Sequence, residues 1–202
     1  VYQPAKYACQ CTFHTRNGNN TVCTLNCLQI SKQSVDSAHT HVINPRHFRS
    51  KIFCRLCSLF RYGNICRSPM SEFILRDMVA KRGIADQFEI ASAATSREEI
   101  GNPVYPPAVR KLREHGIDPS GKRARQMTKQ DYEYYDYLLA AEQYNIQNML
   151  RIVGGDPEHK IHRLLDYSKH PRDIDDPWYS GDFETAYRDI VEGCEAFLES
   201  FK

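Results

Sequence analysis

The chain has 202 residues and a mass of 23.4 kDa; 41% of its residues are hydrophobic and 26% charged, and the net charge is +2. That is room for one domain with a full core, or for a domain of about 140 residues with an appendage. The near balance of charge argues against a nucleic-acid partner, and no apolar run approaches the roughly 18 residues of a membrane span, so a soluble protein without nucleic-acid or membrane partners is expected.

Up to residue 60 seven bases stand against one acid, Asp36, and six of the eight cysteines fall there. Over residues 1 to 50 neither a period of 3.6 nor one of 2 is sustained, and Asn, Ser, Thr and Gln are scattered throughout, a pattern that builds no core. Residues 1–55 are therefore expected to be a poorly structured extension, disordered or non-native, ahead of a domain over 56–202. The alternative is a small zinc module in which Cys9, Cys11, Cys23 and Cys27 supply thiolates, or are joined by His14, His39 or His41, at spacings irregular for a finger. From residue 61 onward only Cys66 and Cys194 remain, which suggests a reducing, cytoplasmic setting.

Leu56 to Phe60 is a short apolar run, bracketed by Arg55 and Arg61, that serves as a first strand. RYGNICRSPM follows, Arg61 to Met70. Gly63 and Asn64 tolerate backbone angles closed to most residues, Arg67 offers a planar fork of donors, and Ser68-Pro69 reads as the cap and first position of a helix. A turn feeding a helix N-terminus gathers unpaired N–H groups, which suits a phosphate-sized anion. The plainer reading is a strand-to-helix turn with a surface arginine.

Met70, Phe73, Ile74 and Met78 then form the apolar stripe of a helix that Gly83 ends. Phe88 to Ala94 reads as a buried strand, Glu98 to Pro107 as a loop, and the stretch through Val109 and Leu112 as an amphipathic helix stopping at His115-Gly116. Asp136 to Ala141 is the clearest parallel strand, followed by a helix from Gln143 to Ile152, and Ile161 to Leu165 supplies another strand. From Phe183 the positions Ala186, Tyr187, Ile190, Val191, Cys194, Phe197, Leu198 and Phe201 mark a long helix, capped by Asp182 or Ser180, with Cys194 as packing. His115, His159, His162 and His170 form no ligand pair at helical spacing and read as solvated, so no metal is expected. Alternation of strands and helices implies an α/β fold, a doubly wound, four-stranded parallel sheet with helices on both faces, whose ligands sit beyond the carboxyl ends of the strands.

Asp175-Asp176-Pro177-Trp178-Tyr179 is the second stretch with visible chemistry. Proline biases Asp176 toward an extended backbone, and two aromatic rings follow. Burial of a carboxyl beside an apolar wall raises its proton affinity, and a protonated acid is what a phenolate leaving group needs. Taken alone, such a turn is more often a surface loop.

The string GNICRSPMSE resembles the phosphate loop of the low-molecular-weight protein tyrosine phosphatases, which run C-x-G-N-x-C-R-S-P. The resemblance continues through SREEIGNP, RARQMT and DYLLAAEQYN to the D-P-aromatic-aromatic turn, covering residues 61–202. It implies a flavodoxin-like fold, no cofactor, and hydrolysis of phosphotyrosine in proteins or of small aryl phosphates; a monomer is the expectation, on which the sequence itself is silent. By the same resemblance Arg67 clamps the phosphate and Asp176 is the general acid. Tyr62, Gly63, Asn64, Ile65, Cys66 and Ser68 line the phosphate loop, Asn64, Ser68 and Ser92 support it, and Trp178 and Tyr179 face Glu98 and Ile100 across the substrate cleft. A phosphoarginine-directed branch carries threonine where this chain has Ile65, which favours tyrosine; a thioredoxin-linked arsenate reductase would need a further cysteine pair.

One position departs from the pattern. The family's nucleophilic cysteine stands six residues before the arginine, and six residues before Arg67 this chain has Arg61. Cys57, on the strand, and Cys66, the second loop cysteine, are not placed to replace it. The chain is therefore expected to be impaired in turnover, and the alternative to a phosphatase is a non-catalytic module that binds phosphate or phosphotyrosine.

Overall fold

The computed structural model describes residues 10–16, 20–26, 55–61 and 63–201, the first three stretches as backbone strands, in two compact units, Val1–Phe48 and Arg49–Lys202. In the first unit β1 (Gln10–Arg16) and β2 (Asn20–Asn26) pair antiparallel, Gln10 opposite Asn26 and Arg16 opposite Asn20. Thr12, Phe13 and Thr15 in β1 and Thr21, Val22 and Thr24 in β2 are residue types that favour strands, and the sequence between the two contains Asn17-Gly18, a hairpin signal. The zinc alternative for this region rests on positions and side chains that lie outside the described residues.

The second unit is built on β3 (Arg55–Arg61), β4 (Phe88–Ala94), β5 (Tyr137–Ala140) and β6 (Ile161–Arg163), all parallel and ordered β4-β3-β5-β6. Side chains alternate across the sheet with period two. Ile90 and Leu139 join one core with Met70, Ile74, Leu112, Ile190 and Phe197, from α1 (Arg67–Lys81), α2 (Pro106–Glu114) and α6 (Phe183–Glu199). Ala93, Leu138 and Ala140 join the other, with Tyr132 of α3 (Lys129–Tyr134) and Met149 of α4 (Gln143–Val153). Helices thus cover both faces, as the alternation predicts.

Some details differ from the sequence pattern. On α1 the fully buried face is Met70, Ile74, Leu75 and Val79, with Phe73 and Met78 only partly covered. The strand expected over Ile161–Leu165 stops at Arg163, and a 3-10 turn over Leu164–Tyr167 follows, which α6 packs against. The described residues contain no helix long and apolar enough to cross a membrane.

From β3 the chain crosses to β4 on one side and then to β5 on the other. This reversal opens a crevice at the carboxyl ends of β3 and β5. The outer edge of β4 is occupied: Arg76 donates to Ile90 O from Nε and Nη2, at 3.2 and 2.6 Å, and Lys122 Nζ donates to Ser92 O at 3.1 Å. Beyond them Met127 N–H donates to Ala94 O at 2.8 Å.

Candidate active site

Strand β3 ends at Arg61, opposite Ala94, and the chain bends through residues 63–66 into α1. Asn64 takes the left-handed conformation, φ 59°, but Gly63 does not. A Cβ on Gly63 would lie 2.9 Å from Glu99 Cγ, so glycine meets a need for closeness rather than for torsion. The helix starts two residues before the position that Ser68-Pro69 suggests, with Cys66 as N-cap and Arg67 first. Pro69 has no N–H to lose anywhere in a first turn, which is why the earlier start is tolerated.

The bend is held from beneath by a buried network. Asn64 Nδ2 donates to Ser92 Oγ at 2.8 Å, and Ser92 Oγ donates to Glu72 Oε2 at 2.5 Å. Asn64 Oδ1 accepts from Arg125 N–H at 3.4 Å, and Ile65 O accepts from Tyr105 N–H at 2.8 Å. Glu72 is buried and answered by Lys122 Nζ at 2.6 Å and Arg76 Nη2 at 2.8 Å. Burial pushes the Lys122 ammonium below its ordinary pKa, against the opposing pull of Glu72.

Arg67 is 1% exposed and ties two other chain segments to the start of α1. Nη1 donates to Ile174 O at 2.6 Å, and Nη2 to Glu142 Oε2 at 2.9 Å and to Asp176 Oδ2 at 3.0 Å. Asp176 has the extended backbone expected before proline, φ −94° and ψ 102°, and caps the short helix α5 (Pro177–Ser180) by accepting from Trp178 N–H at 3.1 Å. The segment before it is tied to α6. Arg172 Nη2 meets Asp189 Oδ1 at 2.6 Å and Glu192 Oε2 at 2.7 Å, and Asp175 N–H donates to Asp189 Oδ2 at 3.2 Å.

These groups open on a cleft of about 640 Å³ lined by Gly63, Ile65, Arg67, Glu98, Glu99, Glu142, Tyr144, Asp176, Trp178 and Tyr179. A buried guanidinium therefore faces a carboxyl group, a bend at a helix N-terminus and an aromatic wall. The family model described as low molecular weight phosphotyrosine protein phosphatase matches residues 57–202. The chain belongs to the low molecular weight phosphotyrosine protein phosphatase family.

Among members of this phosphatase family, the low molecular weight protein-tyrosine-phosphatase YfkJ of Bacillus subtilis (strain 168) is 39% identical over 142 residues, 69% of this chain and 91% of the relative. The human low molecular weight phosphotyrosine protein phosphatase is also 39% identical over 142 residues, covering 68% of this chain and 89% of the relative. The crystal structure of the Bacillus YfkJ protein matches with a TM-score of 0.71 at 37% identity, covering 73% of this chain and 94% of that one. The flavodoxin-like fold expected from the resemblance is the fold of these phosphatases.

The predicted phosphatase residues are distributed as follows. Gly63, Ile65, Arg67, Glu98, Asp176, Trp178 and Tyr179 line the cleft. Asn64, Cys66, Ser68 and Ser92 lie buried behind it, and Ser68 Oγ has no hydrogen-bond partner among the described residues. Ile100 is 53% exposed and does not line the cleft; Glu99 does. Tyr62 and the side chain of Arg61 lie outside the described residues. Sequence reasoning missed Glu142, Glu99 and Tyr144 as lining and Glu72 as the buried acid of the support. Glu142 had a usable signal, an acid directly after a short parallel strand, where ligands of such sheets bind. Glu72 had none, since a carboxylate early in a helix ordinarily reads as solvated rather than as a buried support.

Proposed function

We propose that the cleft takes an aryl ester of phosphate, phosphotyrosine in a protein or a smaller phenolic ester, with Arg67 as the clamp on the phosphoryl oxygens and Asp176 as the acid for the leaving oxygen. The observation that carries this reading is the meeting of Arg67 Nη2 and Asp176 Oδ2 at 3.0 Å across 109 residues of chain, beside an aromatic wall. In the family reaction a cysteine thiolate forms an S–P bond while the P–O(aryl) bond breaks. The departing oxygen takes the proton of the acid, and the same carboxylate then accepts a proton from water as water attacks phosphorus and the thiolate leaves. Trp178 and Tyr179 would flank the ring, and Ile65 keeps the wall beside it apolar, which suits a phenol better than a phosphoguanidinium.

In this chain Arg61 holds the nucleophile's position, so no S–P bond forms there and only positioning and electrostatics remain. Loss of a nucleophile costs on the order of 10³-fold in rate or more. The unmodified chain is expected to hydrolyse p-nitrophenyl phosphate at background and Arg61→Cys to restore turnover. Equal rates in the two chains would remove the assignment of position 61. The second reading is a phosphate-binding module without turnover, which the same Arg61 favours. Trp178 is the only tryptophan, so its emission during titration with phenyl phosphate reports occupancy in either case. Saturation without hydrolysis identifies the binding module, and no response in either chain sinks the cleft as the site.

A further inference from the structure

Tyr105, immediately before α2, touches both halves of the site while standing outside the residues assigned to it. Its backbone N–H donates to Ile65 O in the phosphate-loop bend at 2.8 Å. Its half-buried ring packs against Trp178, centroids 5.1 Å apart, and against Phe183 at the start of α6, 6.1 Å apart. Trp178 N–H in turn donates to Asp176 Oδ1, and Asp176 Oδ2 reaches Arg67 Nη2. The contacts form a closed circuit: loop bend, Tyr105, Trp178, Asp176, Arg67 and back to the bend.

We propose that the Tyr105 ring is a positioning residue for the acid, holding Trp178, and through it the Asp176 carboxyl, in register with the phosphate loop. This rests on the reading of Asp176 as the general acid. Trp178 is 51% exposed, and α5, which carries it, is only four residues long. A side chain on so short a helix is aimed by what it leans on, and the ring of Tyr105, itself backed by Phe183, is that support. The link to the loop is made by the Tyr105 backbone and survives any side-chain change, so substitution tests the ring alone. An acid displaced by a fraction of an ångström transfers its proton less well, whereas binding of the phosphoryl group by Arg67 is unaffected.

The consequence is a leaving-group signature. In the full chain carrying Arg61→Cys, kcat/KM reports the step in which the ester bond breaks. Nitrophenolate departs without a proton, but the phenolate of phenyl phosphate needs one. Adding Tyr105→Ala is expected to lower kcat/KM for phenyl phosphate about tenfold and for p-nitrophenyl phosphate less than about threefold, a part of the ~10²-fold or more that a general acid contributes. Tyr105→Phe, which keeps the ring, should leave both within about twofold. Tyr105→Leu, which restores bulk without an aromatic face, guards against a folding defect, and Trp178 emission should shift to longer wavelength in both the Ala and Leu variants. Equal losses for the two esters, with Asp176→Asn still discriminating between them, overturn the proposal alone. If Asp176→Asn itself fails to discriminate, the reading of the acid falls and the proposal falls with it.

Discussion

Asn64 does two things that few residues combine. It accepts a left-handed backbone and, from a buried position, spends both ends of its amide on Ser92 Oγ and the Arg125 N–H. Asn64→Ala leaves those partners unsatisfied and gives up asparagine's tolerance of positive φ, a loss of about 2 to 4 kcal/mol in urea unfolding. Asn64→Gly keeps the torsion free and should cost less, the difference isolating the torsional part. Of this arrangement the sequence suggested the torsion, and family resemblance named Asn64 and Ser92 as loop support without pairing them. It did not disclose that Gly63 is required by the approach of Glu99, because a contact across 36 positions leaves no local mark. Arg67 is similar. Its role as a donor fork was legible, but the share taken by Glu142 depends on where β5 ends in space.

The segment that carries Asp176 has little regular structure and is steadied by one cation. Arg172 spans Asp189 and Glu192 on α6, while Asp189 also accepts from Asp175 N–H. The hydrogen bond from Arg172, with its charge, holds the Glu192 carboxyl below the ordinary 4.5. A depressed folded pKa means that this contribution is present above the ordinary carboxylate range and is lost as pH falls through the folded value. Arg172→Met should therefore lower the melting temperature near pH 7 by a few degrees, with the gap from the parent narrowing as pH falls below 4.5. A gap that stays constant across that range would mean that packing, not charge, is what Arg172 contributes. Helices such as α6 were legible because their apolar faces recur every three or four residues over 17 positions. Six-residue α3 and four-residue α5 were not, being too short to establish a period.

At the scale of the whole molecule the doubly wound topology followed from alternation alone, and the place of the cleft followed from topology, since the reversal between β3 and β5 puts Glu142 and the bend before α1 at neighbouring strand ends. What alternation does not specify is which strand lies at the border of the sheet. Here β4 lies at one border, and its outward carbonyls at Ile90 and Ser92 are satisfied by the side chains of Arg76 and Lys122. A passing extended peptide thus finds those acceptors occupied and meets positive charge where it would have to dock, which is how sheet proteins discourage intermolecular strand addition. Removing the outer guard, by Arg76→Ser, should quicken light-scattering growth in concentrated solution held below the unfolding temperature, and added salt should weaken the parent's advantage. The same two cations neutralise Glu72 beneath the bend that precedes α1. The guard on the sheet edge and the support beneath that bend therefore rest on one pair of side chains, and neither can drift in evolution without the other.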